Sequence, residues 1–424
     1  MSVAAGATIP LTVLPLGAQR YSCHGCGDCC RDFTVQLRPL DLERLRAQGW
    51  ERELGEVTVE FGGRRWLRQR EDGGCVFLLP DGKCRIHAEH GFEAKPVACQ
   101  LFPFNLAPDA RAARVGVSFA CASVLANKGA SLGSHLPEVR RMAGEVGELA
   151  PARTLLDART EATPDEAECA AEAVDRWLRD AAVPFAVRAD GLAWLAQQLA
   201  QARFAKVRGP RLRELLDTLV DALPAELPLH PIDPASRGQS AMLRQAAFFR
   251  LEDPKVGELA RLGRLRATVG QYLRSRAFSR GRGTMPATGR WPSARFAAVG
   301  AVRPHAAGPD REACEELLVR WLRATVLGGR AWGSGFYGWP VVEGLQAVSL
   351  NLACALWLAR AHAAAHGRQA VALEDMRAAV GRVDRTSGRA PWIGGRAERA
   401  RLAWLRIDDG LRRVLRDQLA VAEG

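Results

Sequence analysis

The sequence predicts a mostly α-helical chain. A small mixed α/β, cysteine-rich domain comes first and a larger all-helical region follows it. Three observations carry this reading. Eight of the 11 cysteines fall between Cys23 and Cys121. The same stretch alternates short apolar runs with Gly- and Pro-rich turns, as short strands and hairpins do. From about residue 134 the apolar residues recur at helical spacing, with helix-start signals between them.

Within the first region, Phe33 to Leu37 alternates like a short strand, and Pro39 to Gln48 reads as a helix ended by Gly49. Val57 to Phe61 and Arg64 to Leu67 flank Gly62-Gly63, a hairpin signal. Phe104 to Ala107 and Arg114 to Phe119 flank Pro108-Asp109 in the same way, and a short helix is expected between Cys84 and Gly91.

In the second region, Thr163-Pro164-Asp165-Glu166 is a capping box with proline at the first helical position. Further helices are expected at 188–206, 209–223, 240–252, 255–277, 311–327, 341–366, 373–384 and 396–421. Trp177, Trp194, Trp321, Trp357 and Trp404 read as packing anchors. The resulting division is an N-terminal extension at 1–20, a cysteine domain at 21–128, and a helical domain at 129–424 with a basic loop near 277–309.

Composition sets the class. Hydrophobic residues make up 48% and charged residues 25%, which suits a globular chain rather than a disordered one. The formal charge is +12, and the basic residues are nearly all arginine. A GC-rich coding bias accounts for such an excess without any function. No stretch reaches the roughly 18 uncharged apolar residues of a membrane span. Gly344 to Leu358 comes nearest and reads as a buried core helix. No basic leader precedes the uncharged residues 2–19, so a cytoplasmic, reducing location is expected. There, cysteines serve as metal ligands or catalytic groups more often than as disulfides.

The cysteine spacing makes that chemistry specific. Cys23, Cys26, Cys29 and Cys30 form a C-x2-C-x2-C-C run in YSCHGCGDCCRDF. Gly25 and Gly27 permit the tight turning that would bring their sulfurs together. Cys75 and Cys84 bracket a Pro80-Asp81-Gly82 turn. Cys99 lies in KPVACQLFPF and Cys121 in SFACAS.

A Cys29–Cys30 disulfide would be strained. Adjacent Cα atoms stand about 3.8 Å apart, whereas disulfides need about 4.4–6.8 Å. If the chain is extended there, the two side chains point to opposite faces and can serve different centres. Eight cysteines suit two four-ligand sites, and one site plus structural thiols fits equally well. Spacing alone does not separate zinc from an iron–sulfur cluster, because four thiolates suit both. His24, His87 and His90 lie close enough to replace a thiolate, although surface roles are commoner. Arg31 and Arg85 each follow a cysteine and could balance thiolate charge. Cys169, Cys314 and Cys354 sit singly on helical patterns and read as small buried apolar residues.

This motif set resembles the YkgJ-like cysteine-cluster family, which is described as zinc- or iron-chelating. The resemblance covers roughly Tyr21 to Lys128 and rests on CHGCGDCC, the C-x8-C element ending CRIH, KPVACQLFPF and SFAC. It implies metal ligation by Cys23, Cys26, Cys29, Cys30, Cys75, Cys84, Cys99 and Cys121. The longer pattern is also similar to the flagellin lysine-N-methylase branch. That likeness would imply protein-lysine methylation with S-adenosylmethionine and a protein substrate such as flagellin.

Three functions follow as expectations: a metal- or iron–sulfur-binding protein whose helical region recognises a partner or substrate, a protein-lysine N-methyltransferase, or an iron–sulfur oxidoreductase. No Ser/His/Asp arrangement, HExxH, P-loop or paired-carboxylate motif supports a hydrolase or kinase. No strand–glycine-loop–helix unit offers a Rossmann-type pocket for S-adenosylmethionine. From Leu259 to Pro309 there are ten arginines and no acid, so this segment is a candidate contact for phosphate or an acidic partner. Arg280-Gly281-Arg282 within it looks like a nucleic-acid contact. The aromatic, glycine-rich loop at 328–344 reads as packing or as a pocket wall.

Overall fold

The computed structural model describes residues 11–16, 19–61, 63–108, 113–146, 153–252, 261–304 and 309–419. The chain divides into two compact units. The first comprises Met1–Leu106 with Arg111–Ala150, and the second Ala107–Ala110 with Pro151–Gly424. The fold is mostly α, with a small mixed cysteine-bearing unit followed by a large helical one, as the sequence predicts.

The first unit is built from short pieces. Leu11–Val13, Ala113–Val117 and Phe104–Pro108 form a three-stranded sheet with Ala113–Val117 in the middle. Leu11 pairs with Ala113 in parallel, so part of the expected N-terminal extension is a sheet strand. Residues 1–10, 17 and 18 of that extension lie outside the described residues, as does Asp109 of the second hairpin signal. Thr58–Phe61 and Arg64–Leu67 make the first expected hairpin, although Gly62 at its turn lies outside the described residues. Phe33 to Leu37 falls short of a full strand and bridges the hairpin through Gln36 and Trp66. Pro39–Ala47 is helical, with Asp41 in its first turn accepting from the Arg38 N–H at 3.0 Å.

Leu136–Val146 is the longest helix of this unit, and the unit extends past residue 128 to include it. Arg44 pairs with its Glu145 at 2.8 Å, and Arg141 donates to Gln100 at 2.9 Å. These bonds fasten the helix to both the Pro39–Ala47 and Val97–Leu101 segments.

The second unit is a helical assembly around Val341–Ala365. This helix is long and apolar enough to cross a membrane, yet it is buried on nearly every face. Phe185–Leu199, Arg237–Leu251, Leu373–Thr386 and Gly410–Leu419 pack against it. Trp177, Trp194, Trp321 and Trp357 are packing anchors as expected, but Trp404 is 42% exposed. In the 328–344 loop, Trp332, Phe336 and Trp339 are buried, and a side chain on Gly335 would strike the Gly329 carbonyl. The loop packs, which accounts for its glycines and aromatics.

Several helix boundaries differ from expectation, and the helix expected at 188–206 runs Phe185–Leu199. Pro210–Leu229 continues through Pro224 and Pro228, because Leu216, Leu223 and Leu227 extend one buried face past the prolines. The expected 396–421 helix splits into Arg396–Leu405 and Gly410–Leu419, since Asp408 and Asp409 adopt left-handed backbone. Residues 255–260 and 420–421 of the expected helices lie outside the described residues.

The Thr163 capping box forms as predicted, and its Glu166 does more than cap. The carboxylate accepts from Arg208 at 2.8 and 2.6 Å, from Gly209 N–H at 2.8 Å and from Thr163 N–H at 2.9 Å. The Arg208 guanidinium outweighs burial and holds the Glu166 carboxyl down at about 2. The folded-state value is therefore below the unfolded one. The stabilisation is complete above about pH 4.5 and is lost as pH falls towards about 2. Stability–pH curves of wild type and Glu166→Gln should thus lie apart near neutrality and converge in this acid window. Parallel curves would assign the carboxylate no such role.

Candidate metal centre

The eight N-terminal cysteines enter the centre on four segments. Arg20–Tyr21 pairs antiparallel with Ala130–Ser131. Gln19 Nε2 donates to the Val124 carbonyl at 3.1 Å, and His24 is hydrogen-bonded to the Ser123 hydroxyl. These bonds set Cys23 beside Cys121, the residue that opens helix Ala122–Ala126. Gly25 and Gly27 both have φ of 72°, and Gly27 starts the short helix Asp28–Asp32 that carries Cys29 and Cys30. A β-carbon on Gly27 would come within 2.8 Å of the Gly82 carbonyl, so the run approaches the Pro80–Gly82 turn closely.

That turn closes as predicted: Gly82 N–H donates to Leu79 O at 3.0 Å and Leu79 N–H to Lys83 O at 2.9 Å. Cys75 N–H donates to the Cys30 carbonyl at 2.8 Å. Cys84 opens helix Arg85–His90, and Cys99 lies on helix Val97–Leu101. The first N–H of that second helix is capped at 2.8 Å by Asp41 Oδ1.

All 11 cysteines are free thiols. Cys75 is buried within a hydrophobic cluster that includes Leu37, Trp50, Phe77 and Ile86, and Cys30, Cys84 and Cys99 pack against the same cluster. Cys23 and Cys26 are exposed. Cys169, Cys314 and Cys354 are buried, as expected of small apolar side chains.

Charge places Cys29 in the middle. Its thiolate would repel those of Cys26, Cys75, Cys99 and Cys121. Burial pushes the Cys26, Cys75 and Cys121 thiols up to about 11. The Cys30 thiol and burial drive Cys29 upward too. Such a set ionises together only with compensating cations, and soft thiolates select zinc or iron–sulfur over hard ions. The donor set therefore fits a metal centre.

Several expectations are corrected. The Cys29–Cys30 pair is helical rather than extended, so its side chains diverge by about 100° instead of pointing oppositely. Arg85 does not serve the thiolates: Glu53 and Glu89 hold its guanidinium at 2.6 Å each, and it lies over the Trp50 ring. His87 and His90 pack on Phe92 and Trp50 respectively. Arg31 stays near the centre, reaching the Cys26 carbonyl at 3.5 Å.

Sequence reasoning missed three residues. Asp41 holds the start of the Cys99 helix. The Cys30 thiol and burial raise Cys29, and burial raises Cys99, while the Lys95 ammonium works against both rises; its signal was a lysine four residues before Cys99. Tyr21 is kept protonated by burial and by Cys23, Cys121 and Cys29.

In the helical unit, the Arg280-Gly281-Arg282 element has a structural explanation. Gly281 ends helix Arg261–Arg280 with positive φ, and the Arg244 guanidinium fills the space where its side chain would stand. Only part of the 277–309 segment is loop, because Phe296–Ala301 is helical and anchored by buried Phe296 and Val299. Glu252 from outside the segment pairs with Arg274 at 2.8 Å. Residues 259–260 and 305–308 of the basic segment lie outside the described residues.

His362, His366 and Asp375 also converge, with ligand atoms within 4.8 Å of one another. Asp375, however, already accepts from His362, from the Ala372 N–H, and from Arg368 through two nitrogens. The Arg368 cation fills the role an ion would take. Among the described residues no three cysteine sulfurs meet that same 4.8 Å criterion.

Residues 22–121 match the CxxCxxCC family. Its description is "Putative zinc- or iron-chelating domain", and the match contains all eight cysteines. "Uncharacterized protein MJ0939" of Methanocaldococcus jannaschii is 36% identical over 87 residues. That similarity covers 20% of this chain and 29% of the relative's length. No solved structure matches the chain. The matched domain thus supports a metal-binding cysteine cluster.

Proposed function

We propose that the N-terminal unit holds iron–sulfur chemistry and that the helical unit recognises the partner or substrate on which it acts. One observation carries the choice of metal. A tetrahedral zinc with Zn–S bonds of about 2.3 Å holds its sulfurs about 3.8 Å apart. Among the described residues no three cysteine sulfurs lie within 4.8 Å of one another. A polynuclear cluster places each thiolate on a different iron and accepts the wider spacing. When bound, such a cluster supplies a site that takes up and releases an electron.

This chain's own residues shape that site. Lys95 offsets thiolate charge, Asp41 holds the Cys99 helix, and Trp50, Phe77 and Ile86 keep water from one side. Support for recognition by the helical unit comes from exposed arginines at 266, 276, 280 and 282 beside exposed Leu265, Val269, Tyr272 and Leu273. This surface would suit an acidic protein. Among the described residues every named strand lies before residue 132. A lysine methylase reading would therefore need a non-Rossmann pocket for S-adenosylmethionine.

Purification without oxygen tests the choice of metal. The protein should be brown, with broad visible absorption that bleaches on reduction, and should contain iron and acid-labile sulfide. A colourless protein containing zinc would overturn the cluster.

A further inference from the structure

We propose that the eight cysteines form two centres that meet at helix Asp28–Asp32: a buried one on Cys30, Cys75, Cys84 and Cys99, and an open one on Cys23, Cys26, Cys29 and Cys121. The inference rests on the metal-binding reading above and assigns its ligands.

Packing defines the first set. Cys75 lies inside the hydrophobic cluster around Trp50 and Phe77, and Cys30, Cys84 and Cys99 are the cysteines packed against it. Backbone bonding reinforces this grouping, since Cys75 N–H donates to the Cys30 carbonyl at 2.8 Å. The Leu78–Cys84 bridge closes the hairpin that carries two of the four.

Strand pairing defines the second set. The Arg20–Tyr21 and Ala130–Ser131 strands, together with the bonds from Gln19 to Val124 and from His24 to Ser123, bring the Cys23 segment against the helix that Cys121 begins. Cys26 and Cys29 follow Cys23 at successive spacings of three in the same run, and neither is among the cysteines packed on the apolar cluster. Neither Cys23 nor Cys26 packs on the apolar cluster, and both are exposed.

The short helix explains how one run serves both centres. Successive helical side chains diverge by about 100°, so Cys29 and Cys30 leave the same turn in different directions. Gly27 makes the turn possible. Its positive φ starts the helix, and its bare Cα lets the run approach Gly82. The adjacent pair is thus a junction between centres, and no cysteine is left over. The buried centre is the structural one. The open centre exchanges its metal and is accessible to reductants and chelators.

The test uses full-length protein loaded without oxygen. Metal per chain is measured by mass spectrometry while a chelator removes it. Wild type should lose half its metal quickly and retain the other half until denaturant is added. Cys121→Ser should hold half the wild-type metal, lack the fast phase, and keep its far-ultraviolet circular dichroism. Cys99→Ser should lose the slow phase. If Cys99→Ser does not fold, the two phases of wild type still decide the matter. One phase in wild type, or Cys121→Ser losing all or none of its metal, would overturn the division into two centres. Wild type without bound metal would instead overturn the metal-binding reading itself.

Discussion

Stripping the metal should unfold the cysteine-bearing unit and leave the helical unit folded. The first unit's longest regular element is the 11-residue helix Leu136–Val146, and its strands run two to five residues. Pieces this short bury little surface by themselves, and small scaffolds of this kind depend on cross-links. Metal ligation can supply an apparent stabilisation of about 10–16 kcal/mol for structural zinc at neutral pH. Whole domains are stable by only about 5–15 kcal/mol. Loss of the metal is then comparable with the entire stability of the unit. It also returns four segments, distant in sequence, to independent motion.

Hydrogen exchange after chelation reads the outcome directly. Amides between residues 19 and 146 should lose protection, whereas those of Val341–Ala365 should keep it. Full protection of the first unit without metal would mean that the cluster around Trp50, Phe77 and Ile86 suffices, and that the metal serves chemistry alone.

Local signals in the sequence were legible, and long-range ones were not. Gly25, Gly27 and the Pro80-Asp81-Gly82 turn act on their own neighbours, so their roles can be read from spacing. The same holds for the Thr163–Glu166 capping box. Asp41 serves Val97, 56 residues away, and no local pattern marks it. Arg85 follows a cysteine but has Glu89 one turn ahead and Glu53 across the fold, and two carboxylates win the guanidinium. The basic segment has no internal acid, but Glu252 lies just outside it and pairs with Arg274. The helix expected to end at 223 runs on through Pro224 and Pro228 to Leu229, carried by buried Leu216, Leu223 and Leu227. In each case tertiary packing or a distant charge overrode a correct local preference.

The second large effect lies in the helical unit. Glu398→Gln should destabilise it by about 3–5 kcal/mol, because it leaves buried guanidinium groups without a counter-charge. Arg250 is fully buried, with partners Asn351 Oδ1 at 2.9 Å, Ala246 O at 3.0 Å and Glu398 Oε1 at 2.7 Å. Burial works against its charge, yet the net shift is upward, with the Glu398 carboxylate opposing the burial cost by charge and hydrogen bond. The other oxygen of Glu398 accepts from Arg401, itself bonded to Gln245 at 3.0 Å. One carboxylate therefore balances two cations among helices Arg237–Leu251, Val341–Ala365 and Arg396–Leu405. Arginine cannot shed its proton to escape.

Urea unfolding followed by tryptophan fluorescence measures the loss. A change below about 1 kcal/mol, the value of an exposed pair such as Arg213–Glu172, would mean that water reaches the site. The triple replacement Arg250→Met, Glu398→Leu and Arg401→Met separates charge from packing. Removing the whole network should recover most of the stability, because apolar groups of similar size carry no desolvation cost. If the triple variant is as weak as Glu398→Gln, the three side chains stabilise through shape and hydrogen bonding, and charge compensation is not what holds these helices together.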